Sequence, residues 1–283
     1  MHSNWASHNL VGSDEVFETF HAGLEVNLIA TPRKDLKTCS SNEQIADVVR
    51  RNTEPYDYIP VIDDNEVSDR VVKGMFHAAN YIKTDVTQIE GRIIDELLPL
   101  SEEFIIGGDS SILDFIKDAD AKPCRLIVSG TRIAGLVSLS DLQRLPVRAV
   151  LFGLITGLEI TMMDAIRCAY GNESHWMAAL SPGRRAMIEE QKNKSRNVDV
   201  YVDTLLFTQF SDKKTLVKNR VLKDKSKKSV EKILSEIETL RNNVAHANDY
   251  AKTPDEARKV CKLVRDLLEI RSLISRSVIK EQG

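Results

Sequence analysis

Two stretches of this chain repeat one order of patterns, with equivalent glycines at Gly74 and Gly135, 61 residues apart. In the first copy, Ile45, Val48 and Val49 take the i, i+3, i+4 spacing of one helix face. An apolar strand follows at 58–62, then a polar turn at Asp63-Asp64-Asn65 and a second strand around 71–74. In the second copy the stripe falls on Ile112, Phe115 and Ile116. The strands fall at 125–128 and 133–137, joined by the turn Ser129-Gly130-Thr131. The repeat predicts an α/β domain built twice from one β-α-β-β-α unit.

The second copy ends in Gly135-Leu136-Val137-Ser138-Leu139-Ser140-Asp141-Leu142. This reads as a strand that passes two hydroxyls and enters a helix at an acid. A helix start offers free N–H groups and a positive dipole end to phosphate. An exposed Asp beside it can accept hydrogen bonds from ribose hydroxyls. The same residues also fit a plain cap, with Ser138 at the N-cap and Asp141 at N3.

Gly135, Ser138, Ser140 and Asp141 fill the Gly, Ser/Thr, Ser/Thr and Asp positions of one element of the CBS (cystathionine β-synthase) family. Over about residues 22–145 the chain resembles a tandem CBS module. The resemblance implies repeats at 22–85 and 86–145 after an N-terminal extension, 1–21. It also implies that Ser138 and Ser140 approach a phosphate of an adenine nucleotide such as AMP or ATP, and that Asp141 holds its ribose. The matching residues of the first copy are Gly74, His77, Ala79 and Asn80, which lack both hydroxyls and the acid. A single regulatory nucleotide site is therefore expected, in the second copy.

The charge is divided unevenly. Residues 1–145 carry 14 basic and 24 acidic side chains, and residues 146–283 carry 25 and 18. The basic half is the better candidate for meeting a polyanion. Cys39, Cys124, Cys168 and Cys261 are scattered, form no metal-type pair and read as buried thiols in a reducing cytoplasm. The first twenty residues show no basic start before an apolar run, and the longest apolar run, 149–158, is far shorter than a bilayer span. A cytoplasmic protein without a membrane partner is expected.

Residues 146–283 carry helical periodicity. Pro146 marks a start for a helix over 147–170, and a second helix is expected over 176–192. Residues 201–207 fit strand or helix. Residues 229–246 are amphipathic, and Thr253-Pro254-Asp255-Glu256 opens a last helix toward Ile274. Between them Lys213, Lys214, Lys218, Arg220, Lys223, Lys225, Lys227, Lys228 and Lys232 form a basic run. It reads either as a solvated, mobile loop and helix start or as a surface for an RNA backbone.

The stretch Leu240-Arg241-Asn242-Asn243-Val244-Ala245-His246 resembles the Arg-x4–6-His motif of HEPN domains, over about residues 147–276. Those are four- or five-helix domains, many of them metal-independent endoribonucleases. The resemblance implies Arg241, Asn242 and His246 as catalytic residues, no metal, and a homodimer in which two motifs share one cleft. The residue types suit RNA cleavage. A His moves a proton near neutral pH, and an Arg steadies charge on phosphorus. On an ideal helix Arg241 and His246 stand about 140° apart, so one copy alone makes a poor site. The same Arg and His also suit the last turn of any helix, through its dipole. The chain thus reads as an adenine-nucleotide sensor controlling a HEPN-like ribonuclease, or as a nucleotide-responsive scaffold whose all-α domain binds a partner.

Overall fold

The computed structural model describes residues 19–54, 56–62, 71–196, 203–222 and 227–282. The chain divides into a unit over Leu24–Leu142 and a second unit formed by Gln143–Gly283 with the segment up to Gly23.

The first unit is built from two sheets related by the sequence repeat. Its elements are β1 (Thr31–Pro32), β2 (Cys39–Ser40), α1 (Ile45–Arg51), β3 (Tyr58–Ile62), β4 (Val72–His77), β5 (Leu98–Pro99), β6 (Ile105–Gly107), α2 (Ile112–Asp118), β7 (Cys124–Ser129) and β8 (Arg132–Ser138). One sheet has the order β2-β3-β4-β5 and the other β1-β8-β7-β6. Each contains a parallel pair, β2 with β3 or β6 with β7, and an antiparallel hairpin, β3/β4 or β7/β8. Each is completed by the short strand leading into the other repeat. β5 joins β4, and β1 joins β8. Neither repeat forms its sheet alone, so the two halves depend on each other.

The apolar residues named by period follow this design. Ile45, Val48, Ile59, Val61 and Phe76 share one core. Val72 and Met75 of β4 meet Cys124 and Leu126 of β7 in a second core shared by the two sheets. Each such fully buried side chain contributes about 1.5–3 kcal/mol relative to exposure. The helix expected to end each repeat is a short 3-10 turn instead, at Ala78–Tyr81 and Leu139–Gln143. The turn at residues 63–65 lies outside the described residues.

The second unit is helical: α3 (Leu145–Tyr170), α4 (Glu173–Ala178), α5 (Pro182–Arg196), α6 (Phe210–Leu216), α7 (Lys227–Ala245) and α8 (Pro254–Gln282). α3 is long and apolar enough to cross a membrane by length and composition. It lies at the centre of the bundle, against α6, α7 and α8, and 56% of its most apolar window is buried. An apolar helix needs that many neighbours to cover it.

Two expectations are corrected in this unit. The helix over 176–192 is two helices, because Ser181-Pro182 starts a new one: Pro at the first position cannot continue a hydrogen-bond ladder from before it. The first part of the basic run is α6 followed by a π turn, Val217–Val221, and not a loop. Asp212 anchors it. Its buried carboxylate receives Arg184 Nε at 2.9 Å and Nη2 at 2.6 Å, and accepts the Gln209 N–H at 2.9 Å. The ambiguous segment ends in a 3-10 turn, Thr204–Phe207; residues 201 and 202 lie outside the described residues.

Candidate functional site

The turn after β8 brings Ser138, Ser140 and Asp141 together. Ser138 Oγ and Ser140 Oγ are 2.8 Å apart. Ser140 is exposed and Ser138 half-buried. Asp141 is 5% exposed, not open as expected, because its Oδ2 accepts the Ser138 N–H at 2.7 Å and the Ser138 hydroxyl at 3.3 Å. The Leu139 N–H goes to the Pro123 carbonyl at 3.0 Å. The N–H of Ser138, just before the turn, and that of Leu139, its first residue, are thus already taken, by Asp141 and Pro123. What the turn presents outward is the hydroxyl pair. Asp141 carries out the capping reading, holding the turn that displays them.

Gly135 sits three residues upstream, opposite Pro32 of β1. A Cβ there would stand 2.5 Å from the Thr31 carbonyl oxygen. Its lack of a side chain is required by the neighbouring strand. Gly74 repeats the relation against Leu98 of β5.

The first repeat closes the equivalent place. His77, at the position of Ser138, stacks flat on Tyr58 with ring centroids 4.3 Å apart and planes 3° apart. Ala79 replaces the second hydroxyl.

In the helical unit Arg241 is part of a charged cluster. Its Nε donates to Glu159 Oε1 at 3.3 Å, and Lys213 Nζ donates to Glu159 Oε2 at 3.1 Å and to the Thr208 carbonyl at 2.9 Å. Arg241 Nη1 leans on Asn242 Oδ1 at 3.5 Å. The cluster borders a cavity of about 370 Å³ walled by Phe152, Ile155, Ile160, Met163 and Leu206, with Ala245 beside it. Glu159 has a sequence signal of its own: it is the lone charge between Arg148 and Asp164 in an otherwise apolar stretch.

His246 is exposed at the end of α7, just past its last helical residue. The helix stops in a left-handed cap. Ala247 takes φ 56°, and the Asn248 N–H donates to the Asn243 carbonyl at 2.9 Å. Arg148, which sequence reasoning missed, pins this end. It donates to the carbonyls of Asn243 (3.0 Å), Val244 (3.1 Å) and Asn248 (2.9 Å), and its guanidinium lies 5.1 Å from the centre of the Tyr250 ring. Among the described residues the His246 imidazole makes no hydrogen bond, with Asn242 or otherwise; the link between the two is main-chain, His246 N–H to the Asn242 carbonyl at 3.0 Å.

Of the basic run, Lys213 is buried rather than on a surface, and Lys214 and Lys218 are paired with carboxylates. Lys213 is 4% exposed and held by Glu159. Lys214 pairs with Glu238 at 2.7 Å, and Lys218 with Glu231 at 3.1 Å. Arg220 donates to the Ala169 carbonyl at 2.7 Å and covers Tyr170. These contacts fasten α6 and the π turn to α3 and α7, with Lys213 buried, while Arg220 stays exposed and Lys232, 3.9 Å from Glu236, is largely open to solvent. Lys223 and Lys225, and the side chains of Lys227 and Lys228, lie outside the described residues. Among the described residues no group of three or more His, Cys, Asp or Glu side chains is placed to hold a metal ion.

No family model and no curated protein matches this sequence. Solved structures do. The chain is similar to the CBS domain of the bacterial CNNM/CorC family Mg2+ transporter in complex with ATP, at 18% identity over 45% of this chain and 90% of that one, with a TM-score of 0.35. It is similar to a hemolysin-like protein containing a CBS domain from Oenococcus oeni PSU, at 14% identity over 45% and 93%, with a TM-score of 0.36. It is also similar to CBSX2 in complex with AMP, at 18% identity over 46% and 97%, with a TM-score of 0.34. Each of these likenesses covers under half of this chain.

Proposed function

We propose that this chain is a cytoplasmic, nucleotide-regulated ribonuclease. The α/β unit binds one adenine nucleotide, AMP or ATP, at Ser138, Ser140 and the Asp141-held turn. The helical unit, as a HEPN-like homodimer, cuts RNA with Arg241, Asn242 and His246.

One observation carries the nucleotide reading. A hydroxyl pair 2.8 Å apart is presented after β8, while the equivalent place after β4 holds a His77–Tyr58 stack. Two hydroxyls donate well to a phosphate oxygen. For cleavage, the exposed His246 imidazole takes the proton of an RNA 2′-hydroxyl, whose oxygen attacks phosphorus. The 5′-oxygen leaves with a proton from the His246 of the second copy, and the Arg241 fork steadies the charge. No step in this scheme calls on a metal.

A second reading is favoured by the paired lysines. With Lys213 buried and Lys214 and Lys218 paired to carboxylates of the same unit, the helical unit acts in this reading as a nucleotide-responsive scaffold for a partner. The deciding experiment mixes full-length protein and RNA in EDTA, with and without AMP or ATP. Cleavage that the nucleotide changes, and that His246→Ala abolishes, is expected. Identical background from both proteins overturns the ribonuclease and leaves the scaffold.

A further inference from the structure

The cavity beside Glu159 has a composition that neither nucleotide sensing nor RNA cleavage requires. Its walls are Ile155, Ile160, Met163 and two large apolar side chains that stay open to solvent, Phe152 at 54% and Leu206 at 57% exposure. Its volume, about 370 Å³, lies at the small end of the range for small-molecule sites, about 300–1,000 Å³. The polar lining is Thr156, Glu159, Thr208, Lys213 and Arg241. Lys213 and Arg241 bring two formal positive charges and Glu159 one negative, leaving an excess of one cation.

The two cations are not equivalent. Lys213 is buried and committed to Glu159 and the Thr208 carbonyl. Arg241 is more open and uses Nε for Glu159; its Nη2 makes no bond among the described residues. Glu159 thereby orients the guanidinium, leaving its outer edge for a ligand. Thr156, exposed in the lining, adds a hydroxyl. Apolar walls with one oriented, partly free guanidinium suit a compact apolar body ending in a carboxylate.

We propose that this cavity binds a small amphipathic carboxylate, its apolar body against Phe152, Met163 and Leu206 and its charged end on Arg241. The site does not involve the nucleotide turn, but it shares Arg241 with the proposed RNA-cleaving group, so a bound carboxylate and an RNA phosphate compete for one guanidinium. The test follows the methyl signals of full-length protein labelled with 13C-methyl methionine during titration with octanoate. Met163 lines the cavity, and Met75 of the α/β unit serves as an internal control. A saturable Met163 shift with Met75 unmoved is expected. Octan-1-ol, with the same chain and no charge, binds at least tenfold more weakly to the wild-type protein. In Arg241→Gln the octanoate affinity falls at least tenfold. No saturable Met163 shift, equal binding of the alcohol, or undiminished octanoate affinity in folded Arg241→Gln overturns the proposal. The alcohol comparison needs no variant and decides the matter if Arg241→Gln does not fold.

Discussion

Gly135 lies so close to Thr31 that a Cβ added to it would stand 2.5 Å from the Thr31 carbonyl oxygen. Gly74 stands in the same relation to Leu98. Both glycines let the short lead-in strand of one repeat complete the sheet of the other. Gly135→Ala and Gly74→Ala are each expected to destabilise the α/β unit by about 2 kcal/mol or more, since backbone oxygen cannot yield as a side chain can. Urea unfolding of the variants measures this. A loss below about 0.5 kcal/mol at both sites would remove close strand approach as the reason for the repeated glycine.

Ala247 is the one non-glycine residue with positive φ among those described, and it ends α7 next to His246. A Cβ in the left-handed region costs about 1–2 kcal/mol, partly offset because glycine gains more freedom on unfolding. Ala247→Gly is expected to raise stability by up to about 1 kcal/mol, read as a higher melting temperature.

Arg148 holds the same turn through three carbonyls. Charge-assisted bonds of this kind contribute about 1.5–3 kcal/mol together with their desolvation. Arg148→Ala is expected to lose about 2 kcal/mol and to speed amide exchange around residues 246–250. Arg148→Lys should recover only part of this, because a single ammonium cannot match the planar fork. Wild-type exchange in Arg148→Ala would show that the turn holds itself.

Burial pushes the Cys39 thiol up from an ordinary 9.0 to about 12, and the Tyr250 phenol up from 10.0 to about 12. Glu43 also raises Cys39, while Arg148 opposes the effect at Tyr250. Each group is neutral when protonated, so the folded state keeps its proton longer than the unfolded chain. Their contribution is fully present below about pH 9 and is lost as pH rises toward 12. The urea midpoint should fall across that window, and less in Cys39→Ala. At pH 8 a thiol reagent should leave Cys39 and the buried Cys124 unmodified in the native protein.

The helix stripes at Ile45 and Ile112 and the hairpin strands are legible because period and turn chemistry agree locally. So is the cap of α8, where the Glu256 N–H donates to Thr253 Oγ1 at 3.2 Å. The exchange of β1 and β5 is not legible: two-residue strands carry no periodicity, and their pairing is fixed by partners about a hundred residues or a couple of dozen away. The basic run misleads for a related reason. A lysine's sequence position says nothing of the carboxylate it meets, and Glu159, Glu231 and Glu238 come from other helices. Ser138, Ser140 and Asp141 are brought together as their spacing implies, but Asp141 faces its own turn.

The central claim is a single nucleotide site made by the second repeat. Calorimetric titration of the full-length protein with AMP, and separately with ATP, tests it most directly. The account predicts that one of them binds with a stoichiometry of a single nucleotide per chain. It predicts that Ser138→Ala with Ser140→Ala abolishes the heat, and that His77→Ala leaves the stoichiometry unchanged. Two equivalents per chain, or binding that survives loss of both hydroxyls, would contradict it, as would no heat with either nucleotide.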